Sequence, residues 1–129
     1  MEHKRKYEAE IESMPAGLDR AVLRVVSGYQ AALPIGRVRM VYNVGLAGFR
    51  VSERQVREAI KGLRRQGHLI CSTPGENGGY YMASTLEEYR EFRKNEYAAK
   101  IADMAETMQA MDAAARAQFG DGFQLGLGV

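Results

Sequence analysis

The sequence predicts an α+β fold, mostly helical, made of three helices, one two-stranded hairpin and a long C-terminal helix. Three observations predict it. Apolar residues recur at helical spacing over 18–32 and again over 53–66. A single pair of short strand-like runs, 68–73 and 79–83, flanks a turn at Pro74–Gly78. Finally, the stretch Leu86–Phe119 contains neither Gly nor Pro and is rich in Ala, Glu, Lys and Met. With 129 residues, 46% of them hydrophobic and 26% charged, the chain suits one globular core plus extensions.

Taken in order, residues 1–17 read as a charged N-terminal extension and 18–83 as the globular domain. Leu18, Ala21, Val22, Val25, Val26 and Tyr29 keep i, i+3, i+4 spacing, and Pro34 follows the end of that first helix. Residues 37–44 read as a short second helix with Val38, Val41 and Tyr42 on one side, Arg37 and Arg39 off it, and the glycines Gly45 and Gly48 after it. Its apolar side is expected to meet the first helix.

The best-specified element begins at Ser52. Its hydroxyl can cap the N–H of Gln55 while Gln55 reaches back, and Val51 and Val56 flank the pair as a staple. Glu53 in the first turn and Arg64 and Arg65 in the last suit the helix dipole, and Gly67 can close the helix. These signals agree on a helix over 53–66. At 100° per residue, Val56, Ala59, Ile60 and Leu63 form a core stripe, and Arg54, Glu58, Lys61 and Arg65 lie opposite, with Arg57 and Arg64 along one flank.

Charge follows the same division. Residues 37–67 carry eight Arg and Lys against Glu53 and Glu58, whereas the whole chain has a net charge of only +2. A basic block confined to one helix-rich segment is the footprint expected of a polyanion-binding face.

The order helix, short helix, turn, capped helix, hairpin supports a family comparison. The run VSERQVREAIKGLRRQGHLI from Val51 to Ile70, followed by Gly78-Gly-Tyr-Tyr-Met-Ala83, resembles winged helix-turn-helix domains. In particular it is similar to small helix-turn-helix proteins carried by bacteriophages and prophages, over roughly residues 18–95. The resemblance implies a DNA-binding protein that regulates transcription or serves replication of a mobile element. Helix 53–66 would enter the major groove of double-stranded DNA, and the hairpin would be the wing. Arg54, Arg57, Glu58 and Lys61 are then the candidates for base contacts, and Arg37, Arg39, Arg50, Ser52, Arg64 and Arg65 for phosphate contacts. Two departures stand out: the loop Leu46–Arg50 is longer than the tightest helix-turn-helix turns, and the Pro74–Gly78 tip carries no Lys or Arg. Tyr80 and Tyr81 are read as packing residues rather than base-stacking ones.

The C-terminal helix, 84–119, opens with the overlapping capping boxes Ser84-x-x-Glu87 and Thr85-x-x-Glu88. Tyr97, Ile101, Met104, Met108, Met111 and Ala115 recur with spacing 4, 3, 4, 3, 4, a coiled-coil seam with Met in place of Leu. The seam fits a homodimer, and packing against the chain's own domain is the alternative. It also leaves open a second functional reading, a winged-helix adaptor that assembles proteins through this helix. The Gly-rich tail 120–129 is expected to fray.

Other classes find no support. His3, His68 and the single Cys71 offer no metal-ligand spacing, and no phosphate-binding loop or nucleophile–base constellation is present. Cys71 reads as a small strand residue. The reading is therefore a non-enzyme without cofactor or metal. Charges alternate through Met1–Glu12 where a signal peptide needs an apolar run, so a cytoplasmic location is expected.

Overall fold

A computed structural model describes the backbone of residues 2–120 and the side chains from Tyr7 onward. The chain divides into two compact units, Met1–Phe92 and Arg93–Val129. It is mostly helical, with one two-stranded antiparallel sheet and a long C-terminal helix.

The first unit holds α1 (Glu2–Glu12), α2 (Leu18–Ser27), α3 (Arg37–Leu46), α4 (Glu53–Arg65), β1 (Ile70–Thr73), β2 (Gly79–Met82) and nearly all of α5 (Leu86–Arg93). Its core is built where the apolar stripes of these elements meet: Val22, Leu23 and Val26 from α2, Met40 and Val44 from α3, and Val56, Ile60 and Leu63 from α4. Ile35, Ile70 and Met82 close it from the strand side. The hairpin is apolar on both faces for a reason its register makes plain. The pair Ile70 and Met82 faces this main core, while the next pair, Cys71 and Tyr81, joins Ala83 and Phe92 in a second cluster.

A third strand position flanks β2. Ile35 forms an isolated antiparallel bridge with Tyr80, the two N–H groups donating to the opposite carbonyls at 2.9 and 2.8 Å. The backbones come so close that a Cβ on Gly79 would lie 2.3 Å from the Ile35 carbonyl oxygen, so only glycine fits. The chain leaves this bridge directly into α3, which ties that helix to the sheet.

Several sequence expectations shift. The 1–17 extension is not merely charged: α1 buries Tyr7 and Ile11 in the main core, and the Tyr7 hydroxyl donates to the Ala83 carbonyl. Glu10 bonds the Nδ1 of His68, and Glu12 pairs with Arg24 at 3.1 Å. The first helix stops at Ser27 rather than 32, because Gly28 takes the C-cap and the Ser27 hydroxyl turns back to the Arg24 carbonyl at 2.7 Å. In α3 the expected buried side is displaced: of Val38, Val41 and Tyr42 only Val41 packs against the core. Met40 and Val44 are fully buried, whereas Val38 and Tyr42 are 71% and 62% exposed. A ten-residue helix with apolar groups nearly all round has no single face for periodicity to find.

In the second unit, the expected uninterrupted helix is broken. After α5, residues Lys94–Ala98 form a π-helical segment before α6 (Ala99–Phe119) resumes α geometry. The Thr85 hydroxyl accepts from the Glu88 N–H at 3.2 Å, one half of the predicted Thr85–Glu88 box, while the Glu88 carboxylate accepts from the Ser84 N–H at 2.7 Å rather than from that of Thr85. Of the tail expected to fray, residues 121–129 lie outside the described residues. Among those described, no helix is long and apolar enough to cross a membrane.

Candidate nucleic-acid interface

The local chemistry of α4 sets the site. Ser52 Oγ accepts from the Gln55 N–H at 3.2 Å and Gln55 Oε1 accepts from the Ser52 N–H at 2.8 Å, the full capping box. Gly67, at φ 96°, lets the chain reverse after the C-cap residue Gln66. With both ends fixed, the buried stripe Val56, Ala59, Ile60 and Leu63 determines which side chains face outward. Arg54, Arg57, Glu58, Lys61 and Arg65 are all exposed, as the angular reading requires.

Electrostatically this face is unfinished. Among the described residues, the ion pairs are Arg24–Glu12, Arg37–Glu53, His68–Glu10 and Lys100–Glu96. None involves Arg54, Arg57, Lys61 or Arg65. Four cations stand on one helix face with only Glu58 among them, and that carboxylate is beyond ion-pair distance of each. Such a face gains most from an added polyanion.

The remaining predicted contacts differ in how free they are. Arg37 is exposed at the start of α3 and reaches Glu53 in the first turn of α4 at 3.1 Å, so it borders the α4 face with its charge partly answered. Arg39 and Arg50 are exposed. Ser52 Oγ is engaged in the cap, which leaves its hydroxyl hydrogen as the only group to offer a phosphate.

Arg64 has a different role from the one expected. Its Nε–H donates to the Ile70 carbonyl at 2.8 Å, its Nη2 to Ser72 Oγ at 3.3 Å, and its guanidinium lies 5.0 Å from the centre of the Phe92 ring. It is a clamp joining α4 to β1 and α5 rather than a free phosphate ligand. Sequence offered little warning, since the partners lie six to twenty-eight residues away.

Beside α3 an open cleft of about 1230 Å³ runs to the hairpin, lined by Arg37, Arg39 and Tyr42 on one side and Ser72, Thr73 and Tyr80 on the other. Sequence reasoning placed the two arginines near an interface but missed the cleft, because it forms only when the Ile35 bridge brings α3 against β2. The hairpin tyrosines pack, as read: Tyr81 is 4% exposed, and Tyr80 rests against the main core.

The thiol of Cys71 is buried, and this burial pushes it up to about 11, against the pull of the Arg64 guanidinium, so it is no nucleophile at neutral pH. Among the described residues no group of His, Cys, Asp and Glu could hold a metal ion. No protein-family model matches the chain, and neither a curated protein nor a solved structure resembles it significantly.

Proposed function

We propose that the chain is a DNA-binding protein of winged-helix type, of the kind phages and mobile elements carry, acting as a transcriptional regulator or in replication. The observation that carries the reading is the unpaired basic face of α4: Arg54, Arg57, Lys61 and Arg65 exposed opposite a fully buried stripe. The architecture supports it as well. A helix, a strand position at Ile35, two further helices and a hairpin paired back onto Ile35 follow the order of a winged helix, with α4 as the recognition helix.

In this reading Arg54, Arg57, Glu58 and Lys61 face base edges, the arginines pairing with guanine and Glu58 accepting from cytosine. Arg65, Arg50, Arg39 and Arg37 hold phosphates, and the cleft beside α3 lies along the strand these contacts follow. Because the hairpin tip Pro74–Gly78 has no cation, the wing adds shape rather than charge.

The test is fluorescence anisotropy on random duplex and on a selected pool, from about 50 to 300 mM salt, where several phosphate contacts cost orders of magnitude in affinity. Arg54→Ala and Arg57→Ala should each weaken binding to the selected site by at least ~1 kcal/mol with the fold intact. Loss of less than that would remove α4 from the groove. A second reading, an adaptor working through protein contacts, is favoured by the exposed apolar residues of α6. Absence of DNA binding even at low salt would select it.

A further inference from the structure

Within α6 no residue is buried, yet its apolar side chains are not scattered. Ile101, Met104, Met108 and Met111 are 66%, 70%, 59% and 68% exposed. At 100° per residue they and Ala115 fall in an arc of about 80°, one narrow stripe along the helix. We infer that this stripe is a homodimerisation surface, and that two copies of α6 pair antiparallel about a two-fold axis at Glu106. This inference stands independently of DNA binding.

The occupant follows from the stripe's own symmetry. The seam positions Tyr97, Ile101, Met104, Met108, Met111 and Ala115 are palindromic about Glu106, whose exposed side chain lies on the opposite side of the helix. A two-fold at that point sets Met104 against Met108, Ile101 against Met111 and Tyr97 against Ala115. Every layer then joins side chains whose volumes sum to a similar total, and the largest residue meets the smallest. A parallel pair would stack Tyr97 on Tyr97 and Ala115 on Ala115, an overfilled layer at one end and a void at the other, both of which close packing penalises. Opposed helix dipoles favour the same orientation.

The flanks agree. Ala98, Ala105 and Ala114 border the seam and allow close approach, and Lys100 and Asp112 are the charges nearest to it. Tyr97, 43% exposed, sits in the π-helical segment just before α6. The exposed apolar surface, with Phe119 at the far end, amounts to roughly 600 Å² a copy, about the lower bound for a specific dimer once both partners are counted.

The experiment uses the full chain. Light scattering at about 50 μM should give the mass of two chains, and Met104→Glu with Met108→Glu should return the 14.4 kDa of one with an unchanged helical spectrum. Orientation is read by disulfide trapping, since the buried Cys71 does not compete. An equimolar mixture of Ile101→Cys and Met111→Cys chains should cross-link as the heteropair, and Ile101→Cys alone should not. A monomer at every concentration, or a dimer untouched by the glutamates, overturns the surface. Efficient self-cross-linking of Ile101→Cys overturns the antiparallel pairing, and it does so even if the glutamate variant fails to fold.

Discussion

Residues 18–65 and residues 99–119 use the same device, apolar side chains at helical spacing, to opposite ends. In α2 and α4 the stripes are buried: Val22, Leu23, Val26, Ile60 and Leu63 are at most 2% exposed. In α6 the stripe Ile101–Met111 is more than half exposed throughout. The side-chain choice differs as well: the buried stripes of α2 and α4 are built of Val, Leu, Ile and Ala, whereas that of α6 is mostly Met. Branched residues hold few rotamers and specify one packing, whereas Met adapts to whatever it meets. Periodicity therefore reveals that a helix has a face to cover, and side-chain stiffness hints at whether the cover belongs to the same fold.

The sharpest way to break that contrast is a matched pair of truncations. Ile60→Ala should lower unfolding free energy by about 4 kcal/mol in a urea titration, in the range for a large buried aliphatic. Met108→Ala, at a protein concentration where the chain is monomeric, should stay within ~0.5 kcal/mol of the parent. A large loss at Met108 would mean that its stripe is part of a core after all.

Gly79→Ala comes next. The added methyl cannot coexist with the Ile35 carbonyl, so the bridge and its two hydrogen bonds must open, at an expected ~3 kcal/mol. Amide exchange at Ile35 and Tyr80 should quicken while α6 is unaffected. Arg64→Met should cost about 2 kcal/mol, since it leaves the Ile70 carbonyl without its charged donor, yet Arg65→Ala should be neutral to stability and weaken only DNA binding. Equal effects of the two on stability would erase the division between clamp and surface cation.

The smallest effect is invisible at neutral pH. The folded state holds the Cys71 proton up to about 11, but the unfolded chain releases it near 9.0. Above that point the unfolded state binds fewer protons, so stability present in full below pH 9 is lost between there and about 11. Burial likewise pushes Tyr81, which faces the same cluster, up to about 12, and this extends the decline. Cys71→Ala should flatten the lower part of that decline in alkaline urea titrations.

How much of this was legible in the sequence depends on the range of the signal. Everything that defines α4 is local, from the Ser52–Gln55 box to the stripe and Gly67, and its span agrees with the prediction within a residue. Its exposed basic face follows from the same angles. Among the described residues of α1, the apolar part of its docking comes from Tyr7 and Ile11 between charged neighbours, too few for periodicity to rise above the surrounding polarity. The clamp of Arg64, the cleft beside α3 and the Ile35 bridge need partners that only tertiary structure brings near. The π-helical break at Lys94–Ala98 has no Gly or Pro to mark it, and nothing in the structure explains it.

The contact between Ile35 and Gly79 also bears on how this chain can vary over evolutionary time. Arginines on an exposed face can be exchanged, moved by a turn or lost as a target sequence drifts, and Met positions tolerate most unbranched replacements. Position 79 admits one residue, because its neighbour is backbone and no substitution elsewhere removes a carbonyl. Descendants of a common ancestor should therefore keep this glycine, together with an aliphatic residue at position 35, after the residues that bind a partner have diverged past recognition. An alignment anchored on that pair would find kinship where overall identity no longer does.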